Sequence, residues 1–224
     1  MELRGGKDRE SFRVTYHFGN NCQVNLIAIR HGETEWNLER REMGQLDSPL
    51  TKRGIQQAEA IGRRLSGVPF DAVYSSDLGR AVQTAEIIAS ISENVVRLHP
   101  GLRERHMGLF QGLTWEELEK KFPNEREEYG RIGYWDVVPE GETAQQRLDR
   151  SVRAFTGIAE DYPNQTVVAV THAGILTGFL QFVLGMPFGS GNRFKKDHAS
   201  FNAFEYLDSR WRLVTWNDLS HLRL

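Results

Sequence analysis

The chain is poor in cysteine and in long apolar runs, and it has little net charge. Its 224 residues include one cysteine, Cys22, which excludes an internal disulfide and is typical of a reducing compartment such as the cytoplasm. With 28 basic and 30 acidic residues, the net charge of −2 favours neither nucleic acid nor an acidic membrane as a partner. The first residues are charged and lack the apolar core of a signal peptide. The most apolar stretch, Gly174 to Phe188, is too short to span a bilayer, and we interpret it mainly as a buried helix.

A hydrophobic content of 39% without a linker-like stretch predicts a single globular domain over residues 1–224. Apolar residues alternate with polar ones at positions 12–18, within an N-terminal extension of residues 1–23. This alternation predicts an extra strand. The strand would be either an added edge of a sheet or a contact in a homo-oligomer.

Strand-like and helix-like patterns alternate along the rest of the chain. Apolar runs at residues 24–29 and 166–170 predict buried strands, and residues 51–65 have the spacing of an amphipathic helix. Thr114 and Thr143 open capping boxes, and Asp77 is expected to cap a further helix. Weaker strand patterns occupy residues 71–74, 95–98, 201–207 and 211–216, the last two forming a hairpin. The alternation predicts an α/β fold, a three-layer sandwich whose mostly parallel central sheet carries helices on both faces.

Reactive side chains directly follow the predicted parallel strands. Arg30 and His31 follow the first strand, Arg80 lies after the second, Glu104 after the third and His172 after the fourth. Ligands of such sheets bind beyond the carboxyl ends of the strands, so these side chains are expected at one edge. Each residue alone is a weak signal, and their convergence at one edge is the stronger one.

The residue types suit phosphoryl transfer. An arginine fork binds phosphate oxygens, a neutral imidazole nitrogen attacks phosphorus, and a carboxylic acid protonates the departing oxygen. A metal site is the competing interpretation, because His31, Glu33, Asp77 and His172 are potential ligands. No HExxH, paired-aspartate or Cys/His cluster supports it, and the GxxxxGK[ST] loop and GxSxG elbow are also absent from the sequence.

A series of ordered motifs extends from about Val24 to the C-terminus. The motifs are residues 26–37 (LIAIRHGETEWN), 47–51 (DSPLT), 74–81 (YSSDLGRA), 102–104 (LRE), 141–143 (GET) and 168–174 (VAVTHAG). The series resembles the histidine phosphatase superfamily, on its phosphoglycerate mutase-like branch. The resemblance implies a phosphoglycerate mutase-like fold.

The resemblance also implies roles for the residues at the sheet edge. His31 would be the nucleophile that becomes phosphohistidine, and Glu104 would protonate the leaving group and then activate water. Arg30, Arg80 and His172 would hold the phosphoryl oxygens, with no metal ion and no cofactor. Further substrate contacts would come from Asn37, Thr34, Gln45, Gly32 and Ala173.

Two departures from the family pattern concern substrate contacts. Met43-Gly44-Gln45 stands where the family often has Gln before Gly, and Ala173 stands where Gly is commoner. The interval from Arg105 to Thr171 is compact, whereas the bisphosphoglycerate-dependent mutases of the family carry a longer insertion there. We therefore predict a metal-independent phosphatase acting on a small phosphorylated metabolite. Phosphoryl transfer between hydroxyls, as in a mutase, and a non-catalytic regulatory binding module are the alternatives.

Two segments have competing interpretations. The aromatic residues between Trp115 and Trp135 would form either a lid over the substrate or ordinary helix packing. The loop from Gly189 to His198 contains Arg193, Lys195 and Lys196, and would either recognise a second negative group or be a solvated basic loop. Candidate substrates are phosphoserine, phosphoglycerate, a sugar phosphate and fructose 2,6-bisphosphate.

Overall fold

A computed structural model describes residues 23–92, 94–132 and 138–222. Six strands form one sheet in the order β3-β2-β4-β1-β5-β6. The first four along the chain are mutually parallel, and β5 and β6 extend the sheet antiparallel at one edge. The strands are β1 (Val24–Arg30), β2 (Ala72–Ser75), β3 (Val96–Leu98), β4 (Thr166–Thr171), β5 (Phe201–Leu207) and β6 (Arg210–Asp218). The predicted strand at residues 12–18 lies outside the described residues.

Helices cover both faces of the sheet, which confirms the three-layer α/β prediction. Successive side chains of β1 enter different cores, with Leu26 packing in a cluster that includes Phe155 and Phe179, and Ile27 in one that includes Ile61 and Ile88. Burial on both faces explains why the sequence of this strand is apolar without alternation. The helices are α1 (Glu35–Leu38), α2 (Lys52–Leu65), α3 (Gly79–Ser92), α4 (Trp115–Lys121), α5 (Pro123–Ile132), α6 (Ala144–Glu160) and α7 (Ala173–Val183).

The capping boxes predicted at Thr114 and Thr143 are confirmed at the starts of α4 and α6. The prediction that Asp77 caps α3 is wrong, because its carboxylate accepts two hydrogen bonds from the Arg103 guanidinium, at 2.6 and 2.5 Å. The cap comes instead from Asp47, whose carboxylate accepts the backbone N–H groups of Gly79 and Arg80. A residue more than thirty positions away therefore satisfies the first turn of this helix.

The apolar stretch after His172 forms the buried helix α7, as predicted, and the helix ends at Val183. Within the described ranges, no helix has both the length and the apolarity needed to cross a membrane. The C-terminal hairpin is confirmed as β5 and β6. Its two turn residues, Asp208 and Ser209, have φ of 50° and 57°, the left-handed conformation of a tight hairpin turn.

The aromatic residues of α4 and α5 pack into a small core of their own. Trp115 lies edge-on to Tyr129 at 5.3 Å between ring centroids, and Phe110 meets Phe122 at 4.9 Å. These contacts favour the packing interpretation for Trp115, Phe122 and Tyr129. Tyr134 and Trp135, the other aromatic residues of the predicted lid, lie outside the described residues.

Candidate active site

Two buried histidines lie side by side at the carboxyl edge of the parallel strands. His31 follows β1 and His172 follows β4, and their ring centroids are 5.2 Å apart. The strands are neighbours with Arg30 paired to Thr171, so the next residue of each strand emerges at the same level. The sheet register therefore brings together two side chains that are far apart in the sequence.

The tautomer of His31 is defined by its backbone neighbour. Nδ1 lies 2.7 Å from the carbonyl oxygen of Gly32. Because a carbonyl only accepts, Nδ1 carries the proton and Nε2 keeps its lone pair. Burial, and then the positive charge of Arg80, lower the pKa of His31 well below its usual value. The ring is thus neutral near pH 7, with Nε2 as a competent nucleophile.

Gly32 serves the packing of this loop. A Cβ there would lie 2.5 Å from the backbone oxygen of Gly54 at the start of α2. Close packing against the helix therefore requires glycine at this position. The N–H of Gly32 donates to Oγ1 of Thr84 at 3.1 Å, which ties the loop to α3 as well.

Ser76 is the hydrogen-bond partner of His172. Oγ of Ser76 is 2.8 Å from Nε2 of His172 and also accepts the N–H of Leu78 at 3.3 Å. When the hydroxyl donates to Nε2, Nδ1 carries the proton of the neutral ring. Burial, and then Arg80, lower the pKa of His172 well below its usual value. Nδ1 is buried without a hydrogen-bond partner in the part of the chain that the structure describes, which leaves this nitrogen for a ligand.

Two arginine side chains accompany the histidines. The Arg80 guanidinium is buried and donates to the carbonyls of Leu46 and Gly44, each at 2.8 Å, while Asp47 lies 3.2 Å away. Nη1 of Arg30 donates to the carbonyl of Lys196. Burial lowers the pKa of Arg30 to about 10, so the side chain stays charged at neutral pH. Backbone oxygens thus orient both cations, as bidentate recognition of phosphate requires.

The carboxylate of Glu104 is held between two backbone N–H groups. Oε1 accepts from Arg105 and Oε2 from Gly174, both at 2.8 Å. A Cβ at position 174 would lie 2.3 Å from Oε1, so this approach requires glycine at the start of α7. The backbone oxygen of Glu104 accepts from Gln45 at 3.0 Å and from Arg150 at 3.3 Å. The half-buried carboxyl is therefore positioned from three sides.

The predicted substrate-binding residues fall into different roles. Oδ1 of Asn37 accepts from the N–H and the hydroxyl of Thr34, at 3.1 and 2.9 Å, forming the capping box of α1. The amide nitrogen of Asn37 is left for other contacts. Gln45 donates to the backbone of Glu104, and Ala173 is the first residue of α7, next to His172. A direct contact of these side chains with substrate stays a prediction.

Two titratable residues near the site were missed by the sequence reasoning. The ring centroid of His198 is 5.8 Å from that of His31, and burial, then Arg30, lower the pKa of His198 to about 3. Burial, and then the charge of Glu104, raise the pKa of Glu42 to about 7. Both residues lie in loops outside the strand ends, where no local pattern marks them.

The potential metal ligands other than the histidines are engaged elsewhere. Asp77 is ion-paired with Arg103 at 2.5 Å, and Oε1 of Glu33 accepts from the hydroxyl of Thr51 at 3.0 Å. Among the residues that the structure describes, no cluster of three or more His, Cys, Asp or Glu side chains has an arrangement that would hold a metal ion.

Comparison with known proteins places this geometry in a family. A metal-independent phosphoserine phosphatase of Arabidopsis thaliana is 37% identical over 202 residues, covering 88% of this chain and 82% of the relative. A probable phosphoglycerate mutase, GpmB, of Escherichia fergusonii is 33% identical over 204 residues, covering 89% and 95%. The solved structure of YhfR from Bacillus stearothermophilus has a TM-score of 0.85 at 30% identity and covers 89% of this chain and 100% of its own. The model of the histidine phosphatase superfamily (branch 1) matches residues 26–219, and the chain belongs to that family.

Proposed function

We propose that this protein is a metal-independent phosphatase that hydrolyses small phosphomonoesters through a phosphohistidine on His31. The observation that supports this most is the buried pair of histidines, 5.2 Å apart. One of them has a free nucleophilic Nε2, and the other has an unpartnered Nδ1 donor within the described residues. Arg30 and Arg80 supply the adjacent positive charge.

In the first step, Arg30, Arg80 and Nδ1 of His172 donate to the phosphoryl oxygens. Nε2 of His31 attacks phosphorus, the bond from phosphorus to the ester oxygen breaks, and Glu104 gives its proton to that oxygen. The positive groups offset the charge on the transferring phosphoryl group, and their orientation by protein carbonyls means that little reorganisation is needed. The product alcohol then leaves.

In the second step, water attacks the phosphohistidine. The Glu104 carboxylate takes a proton from the water as the new oxygen bond to phosphorus forms. The bond between phosphorus and Nε2 breaks, which releases inorganic phosphate and restores neutral His31. The backbone hydrogen bonds from Arg105 and Gly174 keep the carboxyl in place through both steps.

Phosphate release from a panel of phosphomonoesters, with chelator present, tests this function. We expect the wild-type protein to release phosphate and His31→Ala to be inactive, because Nε2 of His31 is the proposed nucleophile. An alkaline quench during turnover should show a phosphoryl group on His31 by mass spectrometry. Loss of wild-type activity on adding chelator alone would contradict the metal-independent mechanism.

The role of Glu104 is tested by Glu104→Gln. A good leaving group hardly needs a proton, so we expect a loss on the order of 100-fold on alkyl phosphates and a much smaller loss on p-nitrophenyl phosphate. Steady-state kcat/KM for both substrate types is the measurement. Equal losses would indicate that Glu104 only shapes the pocket.

A phosphoglycerate mutase is the second candidate, favoured by the similarity to the GpmB protein named above. The phosphoserine phosphatase relative and the compact interval from Arg105 to Thr171 favour the hydrolase. Incubation with 3-phosphoglycerate separates the two activities. A mutase forms 2-phosphoglycerate, whereas a phosphatase forms glycerate and inorganic phosphate.

A further inference from the structure

A third arginine near the candidate site has no role in the proposed mechanism. Arg147 lies in the first turns of α6, and its side chain is half-buried. Its Nε is buried without a hydrogen-bond partner among the described residues. Burial lowers its pKa, and the charges of Glu104 and Glu142 oppose that change. A buried polar atom of a cation that lacks a hydrogen-bond partner is costly, which calls for an explanation.

The neighbouring arginine, Arg150, has the fixed hydrogen bonds of a structural residue. Arg150 lies one turn further along α6 and donates to both carboxylate oxygens of Glu142, at 2.9 and 2.8 Å. It also donates to the backbone carbonyls of Gly101 and Arg103, each at 2.9 Å. Arg150 thus has fixed partners, whereas Nε of Arg147 has none among the described residues.

The position of Arg147 relative to Glu104 follows from α7. A Cβ at Gly174 would meet the Glu104 carboxylate, and one at Gly178 would lie 3.0 Å from Nη2 of Arg147. Residues four apart share a helix face and are separated by about 6 Å. The guanidinium of Arg147 therefore lies roughly one helical turn beyond the proton donor, along the same face.

Lys196 completes the positive side of this region. Its backbone oxygen accepts from Arg30, so its loop is anchored at the site. Its side chain is half-buried, unlike the exposed Arg193 and Lys195 of the same loop. Burial lowers the pKa of Lys196, and the charges of Glu104, Arg30 and Arg147 all act on it. The half-buried Lys196 side chain and the tie of its backbone to Arg30 therefore put a further positive charge on this side of the site.

We infer that Arg147 and Lys196 form a subsite for a carboxylate on the leaving group of the substrate. This inference rests on the proposed function, in which Glu104 protonates the ester oxygen. The leaving group then extends from Glu104, and a separation of one helical turn suits a carboxylate two or three carbons from that oxygen. The arginine fork matches a carboxylate, and the lysine adds a second charge. Lys196 thus supports the second-negative-group interpretation of the basic loop, whereas Arg193 and Lys195 are solvated.

The test uses two substrates that differ in one group. 3-Phosphoglycerate and glycerol 3-phosphate carry a carboxylate and a hydroxymethyl group, respectively, at the same position. We expect Arg147→Gln to lower the ratio of their kcat/KM values, 3-phosphoglycerate over glycerol 3-phosphate, by tenfold or more. Arg153→Gln, an exposed arginine of the same helix, should leave the ratio unchanged. A ratio that is unaffected by Arg147→Gln, or lowered equally by Arg153→Gln, would overturn the subsite.

A second pair of variants tests the subsite independently, in case Arg147→Gln does not fold. Lys196→Met should lower the same ratio severalfold, and Lys195→Met, its exposed neighbour, should not. Equal effects of the two would also overturn the inference.

A binding measurement separates the subsite from the reaction. Calorimetric titration of His31→Ala with both compounds needs no turnover, and Arg147→Gln in that background should abolish the preference for 3-phosphoglycerate. If the wild-type protein hydrolyses neither compound nor any other phosphomonoester, the proposed function fails, while the binding preference still decides the subsite. If His31→Ala binds 3-phosphoglycerate no better than glycerol 3-phosphate, the subsite is contradicted and the phosphatase proposal is unaffected.

Discussion

The two histidines of the site are made chemically different by a single contact each. Nδ1 of His31 donates to a carbonyl, whereas Nε2 of His172 lies 2.8 Å from a serine hydroxyl. The first contact leaves a lone pair on Nε2 of His31, and in the proposed mechanism the second leaves an N–H on Nδ1 of His172. Identical side chains thereby become the proposed nucleophile and the proposed donor to the phosphoryl group.

Removing the serine tests this division of roles. Ser76→Ala should lower kcat/KM for all phosphomonoesters by about tenfold or more, because the donor tautomer of His172 is no longer selected. Ser75→Ala is the matched control, since Ser75 is also buried and donates to the backbone oxygen of Ser76 at 2.8 Å without touching His172. Comparable losses in both variants would show a packing effect instead.

Glu42 gives a pH-dependent prediction at a single residue. Burial and Glu104 raise its pKa from 4.5 to about 7, opposed by Arg105. Between these two pH values the folded protein holds a proton that the unfolded chain has lost. The contribution of Glu42 to stability is therefore fully present below pH 4.5 and is lost as the pH rises to 7. The free energy of unfolding at pH 8 minus that at pH 5 should therefore be more positive in Glu42→Gln than in the wild type, by on the order of 1 kcal/mol.

Urea unfolding at the two pH values measures this difference. Glu39→Gln is the control, because Glu39 is an exposed carboxylate in the same loop, ion-paired with Arg41 at 2.9 Å. An equal pH dependence of stability in the wild type and Glu42→Gln would contradict the assignment.

Sequence reasoning found the residues whose position follows from the sheet. Arg30, His31 and His172 directly follow strands whose apolar pattern is visible in the sequence, and Arg80 and Glu104 follow others within a short loop. It gave Ser76 no role and missed His198 and Glu42, because their contacts depend on register and on loops far apart in the chain. The Cα pairing of β2 with β4 decides that Ser76 meets His172.

At the level of elements, the order of strands and helices was predictable from the sequence, whereas hydrogen bonds between elements far apart in the chain were not. The capping boxes of α4 and α6 were readable because both partners lie within one turn. The cap of α3 was mispredicted because Asp47, from a distant loop, competes with the adjacent Asp77. Long-range partners of this kind leave no local signature.

At the start of α7, Gly174 contacts the carboxyl of the proposed proton donor Glu104, and Gly174→Ala tests the importance of this contact. The added methyl would lie 2.3 Å from Oε1 of Glu104, so the carboxyl must move. We expect a loss of tenfold or more in kcat/KM on alkyl phosphates and a smaller one on p-nitrophenyl phosphate. Steady-state kinetics on both substrates measure these losses, and a thermal unfolding curve shows whether the variant is folded.

Gly157→Ala provides the matched helical control. Gly157 lies within α6, and a Cβ there would meet no atom within 4 Å. This variant should keep wild-type kinetics and gain about 0.5–1 kcal/mol of stability from the better helix propensity of alanine. A kinetic loss in Gly157→Ala similar to that in Gly174→Ala would show that the site responds to helix substitutions in general.

Over the whole molecule, buried neutral histidines should make the fold sensitive to acid. Burial lowers the pKa values of His31 and His172 well below 6.5, that of His198 to about 3 and that of His221 to about 4. Below pH 6.5 the unfolded chain binds protons at these sites and the folded protein does not, so stability falls as the pH falls. Glu42 acts in the opposite direction.

With four histidines against one carboxyl, we expect the free energy of unfolding to decrease by roughly 2–4 kcal/mol from pH 7 to pH 5. Equilibrium unfolding in urea across this interval measures the change. A stability that rises toward pH 5 would mean that the histidines are protonated in the folded protein.

The tie between Arg30 and Lys196 has a consequence for truncated forms of the chain. These residues are 166 positions apart, and the N–H of Ala199 also donates to the backbone oxygen of Arg30 at 3.0 Å. A chain that ends before residue 196 contains every proposed catalytic side chain and lacks the carbonyl that orients the Arg30 guanidinium. We therefore expect protein truncated at this point to release no phosphate, because the segment after residue 195 helps to form the site.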